Sequence, residues 1–470
     1  GGLPASGVIS LHLLQRAGED GAGSDLSGLR EVSGDNGLEL ESGVRDGRAR
    51  PPDERQGLLA PYRVLDLTQD LGAFCGRMLA DLGADVIKIE PPGGDPARSR
   101  GPFYENTPHP ERSLWWFVHH AGKRGITLDC TTPSGRELLQ RLCRTAHVLV
   151  EDFPPGHLDR LGCGVGALHE AYPSLVVTSI TPFGQTGPYS SAPASDLELM
   201  ALSGCMSLAG DPEREPLRIT HPQSGYWASV YGAAGTVLAL FHAGRSGEGQ
   251  QVDVSAQASL VSAVAHAPMF WDLNRTEIKR AGVFLVGRTI TGARMRVMWP
   301  CRDGYLNFII YGGEAGRRTN QALIQWMVEK GMDVPVDLRE KDWRRFEIAT
   351  VTQKEIDRIE AVIGPFFKTL SKSEFFRGII ERDMLAYPVF TPEDILGDPQ
   401  LLARGFWEPV EHPELGATLD YPGPFIRLSD APCRIRRRAP LPGEHNEETY
   451  RKELGLSSEE LAILKEGGVI

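Results

Sequence analysis

The sequence predicts a doubly wound α/β domain joined to a smaller α/β domain. Two observations carry that expectation. From residue 62 onward, short apolar runs alternate with segments of helical spacing, the pattern of parallel strands linked by crossover helices. Near residue 280 the composition changes, and charged helical segments replace the apolar alternation.

The elements follow in order. Residues 1–60 are rich in Gly, Ser, Asp, Glu and Arg, with one short apolar patch at 8–14, and read as a flexible N-terminal extension or processed leader. The run 64–67 suits a buried strand, 73–82 has helical spacing that Gly83 stops, and 85–90 (DVIKIE) is the next strand. A second unit comprises strand 125–129, helix 134–146 and strand 147–151, and strand 174–180 comes after another helical stretch. Residues 224–243 contain no Asp, Glu, Lys or Arg and match the length of a bilayer span. Their Gly, Ala and Ser content, with no companion segment elsewhere, argues for a buried helix under close packing. A strand at 251–254 and a small-residue helix at 256–266 complete the large domain's pattern. Beyond 280, a strand at 305–311 and charged helices at 343–349, 353–363 and 372–382 make the smaller domain; the tail is loop-rich and ends in a helix at 457–466. The division is therefore 1–60 extension, 61–255 large domain, 256–397 linker helix and small domain, and 398–470 C-terminal segment returning to the large domain.

Composition bounds the function. At 470 residues and 41% hydrophobic content the chain buries a large core. A net charge of −12 argues against a wide nucleic-acid surface, so no nucleic-acid partner is expected, and with 224–243 read as a buried helix no membrane partner is expected either. The seven cysteines are scattered, odd in number and free of any C-x-x-C pair, which points to reduced thiols in the cytoplasm. No signal-peptide pattern is read at the start. The histidines show no metal-spaced cluster, so no metal is expected, and adjacent His119–His120 suit a loop or strand pair.

The stretch 182–204, PFGQTGPYSSAPASDLELMALSG, concentrates the chemistry. A Gly- and Pro-rich turn hands the chain to Asp196, which opens a helical pattern. The free N–H groups of a first helical turn favour an ionised carboxylate, and such a carboxylate attacks an activated acyl group. The plainer reading of Asp196 is an N-cap, and local sequence leaves both open. Glu90 ends a strand where a dinucleotide domain places a ribose-binding acid, yet the preceding turn reads TQDLGAFCG without the fingerprint glycines. Gly162, Gly164 and Gly166 link two helical stretches and read as turn residues. Lys123–Arg124 precede a strand, where two cations suit phosphate or form a solvated surface pair. Arg434 and Arg436–Arg438 (RIRRR) read as an exposed basic run. There is no G-x-S-x-G elbow and no Walker loop.

Taken together and in order, the motifs VLDLTQDLGAFCGRMLADLGADVIKIEPPGGDPAR, GKRGITLD, VLVEDFPPGHLDRLG, FGQTGPY, SDLELMALSG and GEGQQVDVS resemble the family III CoA-transferases of the formyl-CoA and crotonobetainyl-CoA transferase type. DPQLLARG, HPELG, PGPFIRLS and PGEHNEE extend the likeness, which covers about residues 62–470 and is thin between 256 and 397. The resemblance implies a Rossmann-like large domain and ring-like chains threaded into an interlocked dimer, whether a homodimer or a heterodimer with a paralogous subunit. It implies acyl-CoA and a carboxylic acid as substrates, Asp196 as nucleophile, and CoA contacts from Leu71, Gly72, Gly122, Lys123, Asp152, Phe153, Arg160 and Phe183. The chain departs from the pattern in a first loop one residue shorter and lacking its proline. It also has Asp152 for the loop's Asn, Pro154 for its Arg, and Met200 for the Gln after the nucleophile. An Asp152 beside phosphates is repulsive unless it faces away. The α-methylacyl-CoA racemases of the same family place a His directly before the Asp and a second Asp downstream. Here Ser195 and the Asp-free RITHPQSGYWAS occupy those places, so two-base proton transfer lacks its residues.

The function implied is transfer of CoA from an acyl-CoA donor to a free acid through an aspartyl anhydride and an aspartyl-CoA thioester. The alternatives are a racemase or isomerase and a non-catalytic CoA-binding subunit of a hetero-oligomer. Gly287, Gly292, Gly312 and Gly313 are candidates for a mobile cover. Arg288, Arg294 and Arg296 are candidates to hold a second carboxylate, as in succinate or a substituted succinate.

Overall fold

A computed structural model of the chain describes residues 56–286 and 291–470. Most of the expected N-terminal extension, residues 1–55, lies outside the described residues, as do Gly287 and Arg288. Residues 56–60 already belong to the fold: Leu59 is buried, and its N–H donates to the Leu82 carbonyl at 3.0 Å.

Six parallel strands form one sheet: β1 (Arg63–Asp66), β2 (Asp85–Glu90), β3 (Arg124–Thr127), β4 (Val148–Glu151), β5 (Val176–Thr181) and β6 (Gln251–Ser255). Their order is β3-β2-β1-β4-β5-β6, the doubly wound arrangement. The register places Val64 beside Val86 and Val148, and Leu65 beside Ile87 and Leu149. Strand side chains alternate between faces, so each of those rows feeds its own core. Val64, Val86, Val148 and Val176 pack with α1 (Ala73–Asp81) on one face. Leu65, Ile87, Leu149 and Val177 pack on the other with α3 (Pro133–Cys143) and the chain's end, Val469–Ile470. Between them runs α2 (Leu114–His120), which continues through His119–His120; the pair is helical, not a loop or strand pair. Past β4 come α4 (His157–Arg160) and α5 (Val165–Ala171); past β5, α6 (Asp196–Leu202) and α7 (Ser224–Ser246).

The expectation of a buried helix at 224–243 is corrected in part. One face of α7, with Ala228, Ala233 and Ala239, lies in the core on the sheet. The other exposes Trp227, Tyr231, Leu238 and Phe241, the last two at 69% and 66%. Among the described residues no helix is long and apolar enough to cross a membrane. After β6 follow α8 (Ala256–Ala263) and α9 (His266–Asn274), whose Met269, Trp271 and Leu273 are also exposed.

A separate apolar core spans residues 293–386 and is dense in rings, including Trp299, Trp326, Phe366, Phe367 and Phe375. It includes α10 (Gly313–Glu329), a helix absent from the sequence expectation because three glycines within its first turn and just before it obscure its spacing. The expected helix at 343–349 is only a 3-10 turn, Trp343–Arg345. Trp343 and Phe346 enter the core at a spacing of three, with Asp342 capping the turn.

The tail covers the free edge of β3. The Gly122 N–H donates to the Arg437 carbonyl at 2.8 Å, that of Gly125 to His445 Nδ1 at 3.1 Å, and that of Thr127 to Asn446 Oδ1 at 2.9 Å. An uncovered edge would be a template for stray pairing. The basic run 434–438 is correspondingly not a free exposed strand or loop. Arg436 donates to the Ala80 and Asp81 carbonyls, and Arg438 to the Glu444 carboxylate.

Candidate active site

Asp196 is the first residue of α6, and Ser195 is its N-cap. Ser195 and Glu198 form a capping box, so the helix end is satisfied without Asp196. The N-cap reading of Asp196 is thus set aside. Its carboxylate reaches a different helix instead. Gln223, which precedes α7, makes no side-chain cap, and the first N–H groups of that helix are unspent. Asp196 Oδ1 accepts from the Gln223 N–H at 2.7 Å and the Ser224 N–H at 2.8 Å. Oδ2 has no partner among the described residues and is covered from solvent.

Asp196 borders a cleft of about 480 Å³. One wall comes from the carboxyl edge of the sheet: Gln69–Leu71 after β1, Asp152 after β4 and Pro182 after β5. The chain turns opposite ways after β1 and β4, the switch point at which doubly wound sheets open a crevice. Asp152 bridges that point. Its carboxylate accepts from the N–H groups of Gln69 at 2.8 Å, Asp70 at 2.9 Å and Gly72 at 3.0 Å. The charge therefore faces the loop after β1 and is met by backbone dipoles.

Rings and a second loop complete the cleft. Phe74 and Tyr226 meet at 5.1 Å, and Trp115 stacks on His119 at 4.0 Å. Burial pushes the His119 imidazole down to about 3, so it is neutral and acts as a ring surface. The segment Arg218–Pro222, leading into α7, supplies Arg218, Thr220, His221 and Pro222.

The residues proposed from sequence fall into three groups. Leu71, Asp152 and Asp196 line the cleft, and Gly72 adjoins it through its N–H bond to Asp152. A methyl group on Gly72 would come within 2.8 Å of Thr68 Cγ2, so glycine is required by close approach. Gly122, Lys123, Phe153, Arg160 and Phe183 are not among the lining residues. Lys123 is fully buried, donating to Asp66 Oδ2 at 2.6 Å, the Ala73 carbonyl at 2.8 Å and His120 Nδ1 at 3.1 Å. Arg124 pairs with Asp85 and Glu453. In this structure neither cation belongs to a solvated pair. Gly122 has φ +82° and lies against Ala80. Phe153 stacks on His157 at 4.4 Å, Arg160 lies beside His157, and Phe183 meets Tyr189 at 5.8 Å.

The guessed second-carboxylate arginines lie elsewhere. Arg294 and Arg296 sit over the Phe284 ring at 4.6 and 5.1 Å. Gly312 caps α10 and Gly313 is its first residue, and neither they nor Gly292 line the cleft. Sequence reasoning missed Arg218, Tyr226, Trp115 and Arg100. For the first two, the available signal is the string RITHPQSGYWAS, which sets an arginine and a histidine just before a helix and two aromatic residues in its first turn.

The sequence model of CoA-transferase family III matches residues 59–446. The subunit BbsE of succinyl-CoA:(R)-benzylsuccinate CoA-transferase from Thauera aromatica is 35% identical over 387 residues, 82% of this chain and 92% of that one. The succinyl-CoA–D-citramalate CoA-transferase of Chloroflexus aurantiacus is 30% identical over 90% of this chain and 99% of its own. The crystal structure of a CAIB/BAIF family protein from Brucella suis superposes with a TM-score of 0.70 at 28% identity, covering 85% of this chain and all of that one. A mixed α/β fold with a parallel central sheet, an aspartate presented to a cleft and matches along most of the length agree: this chain belongs to CoA-transferase family III and is an enzyme that moves CoA from an acyl-CoA to a free carboxylic acid.

Proposed function

We propose that Asp196 is the nucleophile and that the acids exchanged are dicarboxylates, with succinyl-CoA as a donor. The partnerless Oδ2, beside an Oδ1 fixed by two N–H groups, is the observation that supports the role of Asp196. Oδ2 attacks the thioester carbonyl, the C–S bond breaks, and CoA leaves as a thiolate, giving an acyl–aspartyl anhydride. The thiolate attacks Asp196 Cγ, the anhydride C–O bond breaks, and the donor acid departs as its carboxylate. The resulting aspartyl-CoA thioester is attacked at Cγ by the acceptor carboxylate, which expels the thiolate and forms a second anhydride. Thiolate attack on the acceptor's carbonyl releases the new acyl-CoA and restores Asp196. No proton or electron is gained or lost overall.

Each attack on Cγ places negative charge on Oδ1. That atom already accepts two N–H bonds, at 2.7 and 2.8 Å, within the range for oxyanion donors. The cleft must also exclude water while the anhydride lasts.

The dicarboxylate reading draws on the relatives named for succinyl-CoA with benzylsuccinate and citramalate. CoA contacts by Leu71, Gly72 and Asp152 suit their place at the cleft. Gly122, Lys123, Phe153, Arg160 and Phe183 are assigned to the CoA site by the family pattern alone. The apolar faces of α7 and α9 suit an interlocked dimer. A paralogous partner is the second form of that reading, favoured by a relative that is itself named as a subunit. The seven free cysteines suit the cytoplasm.

Asp196→Ala should fold and bind CoA yet transfer nothing. Borohydride or hydroxylamine trapping during turnover should modify position 196 in the wild type. Near-normal transfer by the variant rejects the scheme.

A further inference from the structure

Five carboxylate and guanidinium groups line the cleft: Asp70, Arg100, Asp152, Asp196 and Arg218. Four are engaged. Arg100 pairs with Asp70, and its guanidinium lies over the Trp115 ring at 4.9 Å. Asp152 accepts three backbone N–H bonds and Asp196 two. Arg218 has no carboxylate partner among the described residues. Its Nη1 donates to the carbonyls of Ile219 at 3.0 Å and Thr220 at 2.8 Å, which fixes the plane of the guanidinium. The edge formed by Nε and Nη2 has no acceptor among the described residues. That edge is one along which a guanidinium binds a carboxylate through two parallel bonds.

Charge favours the same conclusion. Three carboxylates face two guanidiniums in the cleft, so a dianionic acid entering it meets an excess of negative charge. It needs a cation that is not already neutralised. The ring surfaces of Phe74, Trp115 and Tyr226 suit the acid's carbon skeleton but supply no charge. Arg218 also stands in the segment that runs into Gln223 and Ser224, whose N–H groups hold Asp196.

We propose that Arg218 receives the second carboxylate of a dicarboxylic acid whose first carboxylate reacts at Asp196. The inference rests on Asp196 being the nucleophile. The test compares kcat/KM for glutarate with that for pentanoate, which replaces the distal carboxylate by a methyl group, at one fixed acyl-CoA donor. The wild type should favour glutarate. A hydrogen bond to a charged group is worth about 1.5–3 kcal/mol, so Arg218→Gln should cut the glutarate-to-pentanoate ratio about 10- to 150-fold. Arg218→Lys, keeping the charge without the fork, should restore part of it. A ratio unmoved by Arg218→Gln, or a wild type that prefers pentanoate, overturns the inference. If Arg218 grips a CoA phosphate instead, the KM for the donor rises with both acids and the ratio holds, which also overturns it. Modification of position 196 with an unmoved ratio removes this inference alone; transfer to neither acid with position 196 unmodified removes the Asp196 reading as well.

Discussion

Lys123 is the residue on which the family pattern and the structure part most sharply, and one substitution separates them. The pattern implies a CoA contact. The structure encloses the ammonium, with Asp66, the Ala73 carbonyl and His120 as its partners. Lys123→Met removes the charge and nearly keeps the volume. It strands Asp66 in a fully buried position. Burial pushes the Asp66 carboxyl up, but the charges of Lys123 and Lys88 and the hydrogen bonds from Lys123 and Thr68 outweigh it and hold the group below the usual carboxylate range. Breaking a buried pair from one side costs about 3–5 kcal/mol. Asp66 keeps the Thr68 N–H at 3.0 Å and hydroxyl at 2.6 Å, so the lower end, about 3 kcal/mol, is expected. Urea unfolding should show the loss as a lower midpoint. Adding Asp66→Asn should recover part of it, because the uncompensated charge is then gone. At permissive urea the folded fraction should retain its KM for acyl-CoA. An unshifted midpoint together with a KM raised tenfold or more would refute the reasoning and make Lys123 a phosphate ligand. The wild-type pair also sets a pH dependence: because the Asp66 value is depressed in the folded state, its stabilisation is present above the unfolded value near 4 and is lost as pH falls through the folded one.

Asp152→Ala should free the loop after β1, speeding hydrogen exchange at the Gln69, Asp70 and Gly72 amides; with about 1–2 kcal/mol of positioning lost, the KM for acyl-CoA should rise roughly 5- to 30-fold. Unaltered exchange at those amides would show that the carboxylate does not hold the loop. Glu151 is buried, and burial, aided by the charges of Asp152 and Asp253, pushes its carboxyl up to about 7 from 4.5. The folded state therefore binds this proton more tightly, and wild-type stability falls by about 3 kcal/mol between pH 4.5 and pH 7 through this group. Glu151→Gln should be more stable than wild type above pH 7, with the advantage vanishing below pH 4.5; denaturant midpoints across that range measure it, and an advantage that does not change with pH excludes the linkage.

The strands were legible because their apolar runs are short and bounded, and those at 64–67, 85–90, 147–151 and 174–180 fall within two residues of β1, β2, β4 and β5. Helix α7 was legible in extent but not in burial. Its apolar residues surround the axis, so no stripe distinguishes the face on the sheet from the face left outside. Helix α10 was missed because glycines occupy its start and its apolar residues cluster in its second half. Asp196 could be singled out from its turn and helix pattern, whereas Arg218, in an irregular stretch with no periodicity to read, is marked only by its place just ahead of a helix.

The sequence alone determined the succession of strands in the large domain, the parallel sheet they build and the presence of an aspartate at a helix start. These follow from local periodicity and turn residues, which act over a few positions. Only the tertiary structure decided which groups each charge meets. Asp196 finds its donors 27 and 28 residues away, Asp152 finds three between 80 and 83 away, and Lys123 finds Asp66 57 away. Strand order and helix docking set those encounters, and no spacing within a local window encodes them. The same carboxylate or ammonium becomes a cleft-lining group, a loop anchor or a buried strut according to what the fold brings beside it.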